Sequence, residues 1–204
     1  MKQVVIFIVF ATFFLFTASH ARYSYAQSAD IVVETESPIG VEDNSTESAI
    51  LKPERVNYEF PYPGMLPDNP LYILKVIRDG MVKMLINDEM KMARFSLLNA
   101  EKRGYSAKLL VDKNKDSLAV ETLSKGNNYL NNCVAAVRNY QKSHPKSPDI
   151  KPFLIQLQAS VQKLIELEQD MKSSIDKKYQ VGFAKEKERT VAIEKVVGGM
   201  IRQK

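Results

Sequence analysis

From residue 70 onward, apolar positions recur at alternating steps of three and four, the spacing of one face of an α-helix. Leu71, Leu74, Ile77 or Arg78, Met81 and Leu85 form the first such stripe, at steps of three and four, and predict a helix over about 70–86. Asp68 and Asn69 stand where an N-cap belongs, and Pro70 holds the favoured first helical position. Asn87 and Asp88 break the pattern and re-cap the chain. A second stripe of Met90, Ala93, Leu97, Ala100, Gly104, Ala107 and Val111 predicts a helix over about 88–112. Gly104 lies within that stripe at a helix cost of about 1 kcal/mol against alanine, which points to close helix approach. After the polar turn 112–115, Leu118, Thr122, Lys125, Tyr129, Cys133, Ala136 and Tyr140 predict a third helix over about 116–142, weakened near its middle by Lys125 and Gly126.

Residues 143–149 (SHPKSPD) form a loop in which Ser147 is placed to cap and Pro148 to start a fourth helix. Leu154, Leu157, Val161, Leu164, Glu168, Met171 and Ile175 carry its stripe, which fades after Lys178. Val191, Ile193, Val196 and Val197 then cluster within 185–197, ahead of Gly198 and Gly199 as a terminator. That cluster either extends the fourth helix or forms a short fifth one. Nothing alternates with period two long enough to build a sheet. The expectation is an all-α fold: an up-and-down antiparallel bundle of about four helices over 61–180, with 181–204 a helical extension or basic tail. A long α-hairpin that dimerises would give the same pattern.

Ahead of the bundle the text is different. Residues 61–70 (PYPGMLPDNP) hold four prolines and are no helix interior. Residues 27–60 show no sustained period, are rich in Ser, Thr, Asp and Glu, and read as a disordered acidic spacer. The uncharged run 4–18 has 15 residues, about 22 Å as a helix. That is short for a membrane span and suits a signal-peptide core. Ser24 and Ala26 occupy the small-residue positions of a cut after Ala26. The expectation is an exported protein of the cell envelope or exterior; the alternative is a chain anchored by 4–18 with its domain outside the cytoplasm.

The formal charge of +5 divides unevenly. Residues 27–68 hold nine acids against Lys52 and Arg55, while residues 69–204 hold 25 Lys/Arg against 15 Asp/Glu, a net of +10. The bases are spread along helix faces rather than clustered, and export removes most nucleic-acid targets, so no nucleic acid is expected. Anionic lipid headgroups or wall polymers fit the charge better.

Catalytic chemistry finds no support. Cys133 is the only cysteine, and His144 is the only histidine beyond the signal segment, so no His/Cys metal cluster arises. Asp112, Asn114 and Asp116 start like a calcium loop, but Ser117 and Leu123 stand where Gly and Glu belong. Glu166, Glu168 and Asp170 are spaced by two and do not share a face. Glu101 reads as a surface ion-pair partner. No nucleophile elbow, phosphate loop or dinucleotide fingerprint is present. No catalytic, metal or cofactor site is expected. Met81, Met84, Met90, Met92, Tyr105, Tyr129 and Tyr140 sit mostly at core spacing, although Met-rich faces also suit adaptable peptide grooves.

One segment bears a family likeness. Leu66, Pro67, Asp68, Asn69, Pro70, Leu71, Tyr72, Leu74 and Lys75, followed by Ala93, Arg94, Leu97, Ala100, Glu101, Lys102 and Arg103, resemble the opening of the domain-of-unknown-function 5667 family of exported bacterial proteins. Asn69 replaces the family's usual Ser, and Gly104 and Tyr105 depart from its aliphatic text. The likeness covers about 60–140 and implies export and a helical fold, with no activity to carry over. Together these readings favour a non-enzymatic helical module outside the cytoplasm: an adaptor, chaperone or sensor with a protein partner in the envelope. The alternative is an envelope structural protein on anionic lipid or polymer. A homodimer fits either.

Overall fold

The computed structural model describes residues 55–202, and no strand occurs among them. The segment 1–26 with the cut at Ala26, and the spacer up to residue 54, lie outside the described residues. The described chain forms five α-helices: α1 (Tyr72–Leu85), α2 (Glu89–Val111), α3 (Asp116–Ser143), α4 (Ile150–Lys172) and α5 (Gln180–Arg202).

The fifth helix corrects the expected count of four. Residues 181–202 are neither a tail nor an extension of α4, because a turn at 173–176 and a short 3-10 segment, Lys177–Tyr179, separate the two helices. Gly198 and Gly199 do not end α5. Phe183, Ile193, Val197 and Met200 are buried along it. Burying those four side chains outweighs the helix cost of two glycines, about 1 kcal/mol each.

Local chemistry sets the boundaries. The Asp88 carboxylate accepts from the Lys91 amide at 2.7 Å and starts α2. Asn114 takes a left-handed φ of 57°, and the Asn114 and Lys115 amides return to the Val111 and Leu110 carbonyls, each at 2.8 Å. Those bonds close α2 and turn the chain tightly into α3. Ser147 does not cap α4, which begins at Ile150; its hydroxyl accepts only weakly from Asp149, at 3.4 Å. Asp116 Oδ2 accepts the Asp176 amide at 2.8 Å and ties the α2–α3 turn to the α4–α5 turn.

The bundle is two α-hairpins, α2–α3 and α4–α5, packed side by side. α2 lies on α4 and α3 lies on α5. The matched helices run parallel. Along α2 and α4, Arg94 sits over the Phe153 ring and Gly104 abuts Leu164; along α3 and α5, Val120 meets Gly182 and Asn127 meets Glu186. The consecutive helices α3 and α4 barely meet, so the 144–149 loop crosses the diagonal. This differs from an up-and-down bundle, where each helix packs on its sequence neighbour.

The interior of these four helices is continuous and apolar, from Met90 and Leu97 through Leu123, Leu130, Leu157 and Leu164 to Val197. On α3 the buried positions include Gly126 and Asn127, while Lys125 points out and pairs with Glu121 at 2.6 Å. The Gly104 expectation holds: a β-carbon there would fall 2.6 Å from Leu164 Cδ1 and 3.2 Å from the Phe60 ring. The final stretch of the expected spacer, 55–60, is not free. Val56 donates its amide to Glu166, Tyr58 donates its hydroxyl to Glu101, and Phe60 packs on the core.

Candidate docking surface

α1 stands apart from this plan. It buries no residue and makes no substantial packing with another helix. Its attachments are polar. Asp68 accepts from Lys113 Nζ at 3.1 Å and Lys115 Nζ at 2.8 Å, and these cations hold its carboxyl below the usual range. Lys75 Nζ donates to the Pro63 carbonyl at 2.8 Å. The Tyr72 ring lies under the Arg103 guanidinium of α2, 5.2 Å from centroid to Cζ.

The direction α1 faces follows from helix geometry. At about 100° per residue, Tyr72, Lys75 and Asp79 fall within about 60° of one another. These three are the half-buried residues of α1. Ile73, Leu74, Ile77, Met81, Met84 and Leu85 fall within about 120° centred on the opposite side. All six are exposed, Met84 by 83% and Leu85 by 80%. α1 is therefore amphipathic with its polar side against the bundle and its apolar side outward. The apolar stripe that predicts this helix from sequence, including Leu74, Ile77, Met81 and Leu85, points to solvent.

The family-like motif lies at the foot of this helix. Leu66 and Pro67 are half-buried, Asp68 makes the ion pairs, and the Asn69 side chain accepts from the Leu71 amide at 2.9 Å. Pro70 and Leu71 are exposed, and α1 begins at Tyr72, two residues after Pro70. Asn69 thus closes a turn before the helix, and the N-cap position, Leu71, has no side-chain cap.

The buried carboxyls lie elsewhere, inside the bundle. Glu168 is fully buried; the Thr190 hydroxyl donates to its Oε1 at 2.6 Å, and Oε2 has no partner among the described residues. Desolvation pushes its carboxyl up to about 8, opposed by the Thr190 bond and the Lys187 charge. Nearby, Asn127 Nδ2 donates to the Glu186 carbonyl at 3.0 Å, and Arg189 Nη1 donates to Glu186 Oε2 at 2.6 Å. Glu168 lines neither the groove of about 580 Å³ beside α5 nor that of about 800 Å³ at the hairpin turns, so no open path to it appears there. Glu101 is no surface ion-pair residue: it is buried, receives the Tyr58 hydroxyl, and has its pKa raised by desolvation. Cys133 is buried and its thiol is pushed well up, which suppresses the reactive thiolate. Among the described residues, no three His, Cys, Asp or Glu side chains gather to hold a metal ion.

Sequence reading placed Glu168 in the α4 stripe but missed its partner Thr190, and Asn127 beside Thr190. The available signal was their place beside Leu123, Leu130 and Ile193 at helical spacing. Compared with protein-family models, curated proteins and solved structures, the chain matches none.

Proposed function

We propose that this chain is a non-enzymatic interaction module, exported from the cytoplasm, whose docking element is α1. The observation that carries the reading is the outward apolar face of α1 on an otherwise well-packed bundle. Contiguous exposed aliphatic surface is costly in water and marks an interaction site. The two hairpins serve as the scaffold, and the ion pairs of Asp68 with the stacking of Tyr72 on Arg103 hold the helix in place. The likeness of 66–75 to the domain-of-unknown-function 5667 family falls on this same segment and supports a shared way of mounting the helix.

Site-specific photo-crosslinking tests the reading. A photoreactive phenylalanine replaces Met84 in one full-length variant and exposed Lys146 in another, each expressed in native cells. The expected result is adducts to protein or lipid from position 84 and none from position 146. Absence of any adduct from position 84 in folded protein would end the proposal.

A further inference from the structure

Resting on that reading, we propose that the occupant of α1's outward face is the surface of an anionic lipid bilayer. An interfacial helix lies in the membrane plane with its apolar side sunk to the boundary between headgroups and acyl chains, and cations beside it among the headgroups. α1 presents those parts. Its 14 residues give about 21 Å of length. Ile73, Leu74, Ile77, Met81, Met84 and Leu85 make an outward surface of aliphatic and thioether groups, with no charge inside the arc.

Cations stand at one edge of this surface and behind the helix. Arg78 lies about 20° beyond Leu85, at the edge of the arc, and Lys83 lies about 20° from Tyr72, on the side toward the bundle. Both are exposed. Asp79 is the one acid of α1, half-buried and bound to Arg78 at 2.7 Å. Behind the helix, Lys83, Arg103 and Lys125 surround Tyr72 and Tyr129. The charge that complements these cations is negative and laterally extended, as in a leaflet containing anionic lipid.

Charge and shape separate this occupant from two others. A second copy of the chain would bring the same cations toward Arg78, with no free acid on α1 to meet them. Protein hot spots centre on Trp, Tyr and Arg anchors seated in pockets. The outward arc of α1 is convex and carries no aromatic ring, which suits acyl chains better than a pocketed protein partner.

The test reads α1 directly, because the apolar run 4–18 could by itself hold the full chain on any vesicle. Met84→Cys is labelled with the fluorophore NBD in the folded full-length protein. Buried Cys133 should stay unlabelled, with wild type as the labelling control. Lys146→Cys is the positional control. Vesicles are phosphatidylcholine alone, or phosphatidylcholine with about one third phosphatidylglycerol to give a negative surface.

The expected result is a blue shift and several-fold brightening at position 84 on the anionic vesicles, with quenching by doxyl-labelled acyl chains. Neutral vesicles should give a much smaller response, and position 146 none. Arg78→Glu with Lys83→Glu, shown to be folded by circular dichroism, should abolish the response at position 84. No shift at 84 on anionic vesicles overturns the proposal, as does an equal shift on neutral ones or an unchanged response in the double variant. A shift without lipid that grows with protein concentration identifies a second copy instead. If position 84 still crosslinks to protein in cells, the lipid proposal falls and the interaction module stands.

Discussion

α1 and α5 are both helices with apolar faces, and only that of α5 is covered by the rest of the described chain. α1 has a clear apolar stripe and a proline-marked start, yet it buries nothing. α5 read as an extension of the fourth helix, a short fifth helix or a basic tail, ended by Gly198 and Gly199. Yet it runs through both glycines, buries six residues and completes the second hairpin. Periodicity reports that a helix has an apolar face, and says nothing of what covers that face. In α5 the cover is α3 and α4. In α1 the covered side is the polar one, held by Tyr72, Lys75 and Asp79. The stability of α5 therefore belongs to the cooperative bundle, while that of α1 is local.

Truncating equivalent apolar groups tests this contrast most severely. Phe183→Ala removes a buried ring from α5 and should cost about 3–5 kcal/mol. Ile77→Ala on α1 should stay within about 0.5 kcal/mol. Urea unfolding followed by circular dichroism measures both. Comparable losses at the two sites would mean that α1 is packed in solution. A smaller effect is expected at Gly104, where the added carbon of Gly104→Ala runs into Leu164 and Phe60. Overpacking costs about 1–3 kcal/mol, and roughly 1 kcal/mol of helix propensity offsets it. A net stabilisation would show that Leu164 and the 55–60 strap yield freely.

The buried carboxyl of Glu168 adds a pH dependence that α1 lacks. Its folded pKa is raised from 4.5 to about 8, so the folded state holds the proton more tightly than the unfolded chain. Stability from this group is complete below about pH 4.5, declines as pH rises through the window to about 8, and is lost above it. Burial of Glu101 raises its pKa too and adds in the same direction. Glu168→Gln keeps an acceptor for Thr190 and removes the charge. It should flatten the decline between pH 5 and 9 and be more stable than wild type at pH 9, by about 1–3 kcal/mol. Parallel wild-type and variant profiles across that range would show that Glu168 is solvated.

Some of this was legible beforehand. The all-helical class followed from spacing, the Asp88 cap from residue type, and a close helix approach from Gly104, although not which helix it meets. The start of α4 was read early because Ser147 and Pro148 imitate a cap, whereas the hydroxyl only holds a turn. The seam of α3 was misjudged at Lys125 and Gly126. Lys125 points out, Gly126 admits α2 closely, and the buried place beside it goes to Asn127, which spends its amide on Glu186. Glu101 looked solvated because its partner, Tyr58, lies 43 residues upstream. At the docking surface, the residues were visible and their direction was not. That direction depends on Arg103 and Pro63 holding the polar side of α1, contacts between segments that no local window contains.

The smallest effect separates local from cooperative helix stability. A β-carbon at Gly80 of α1 or Gly199 of α5 would meet nothing within 4 Å. Each Gly→Ala change therefore adds only helix propensity, up to about 1 kcal/mol. α5 unfolds with the bundle, so Gly199→Ala should raise global stability by about 0.5–1 kcal/mol. α1 opens by itself, so Gly80→Ala should leave the urea midpoint unchanged. Its gain should appear as amide exchange slowed about fivefold within 75–85, with exchange in α2 to α5 untouched. If Gly80→Ala moves the global midpoint as far as Gly199→Ala does, α1 is coupled to the core and its apolar face is covered within the folded chain itself.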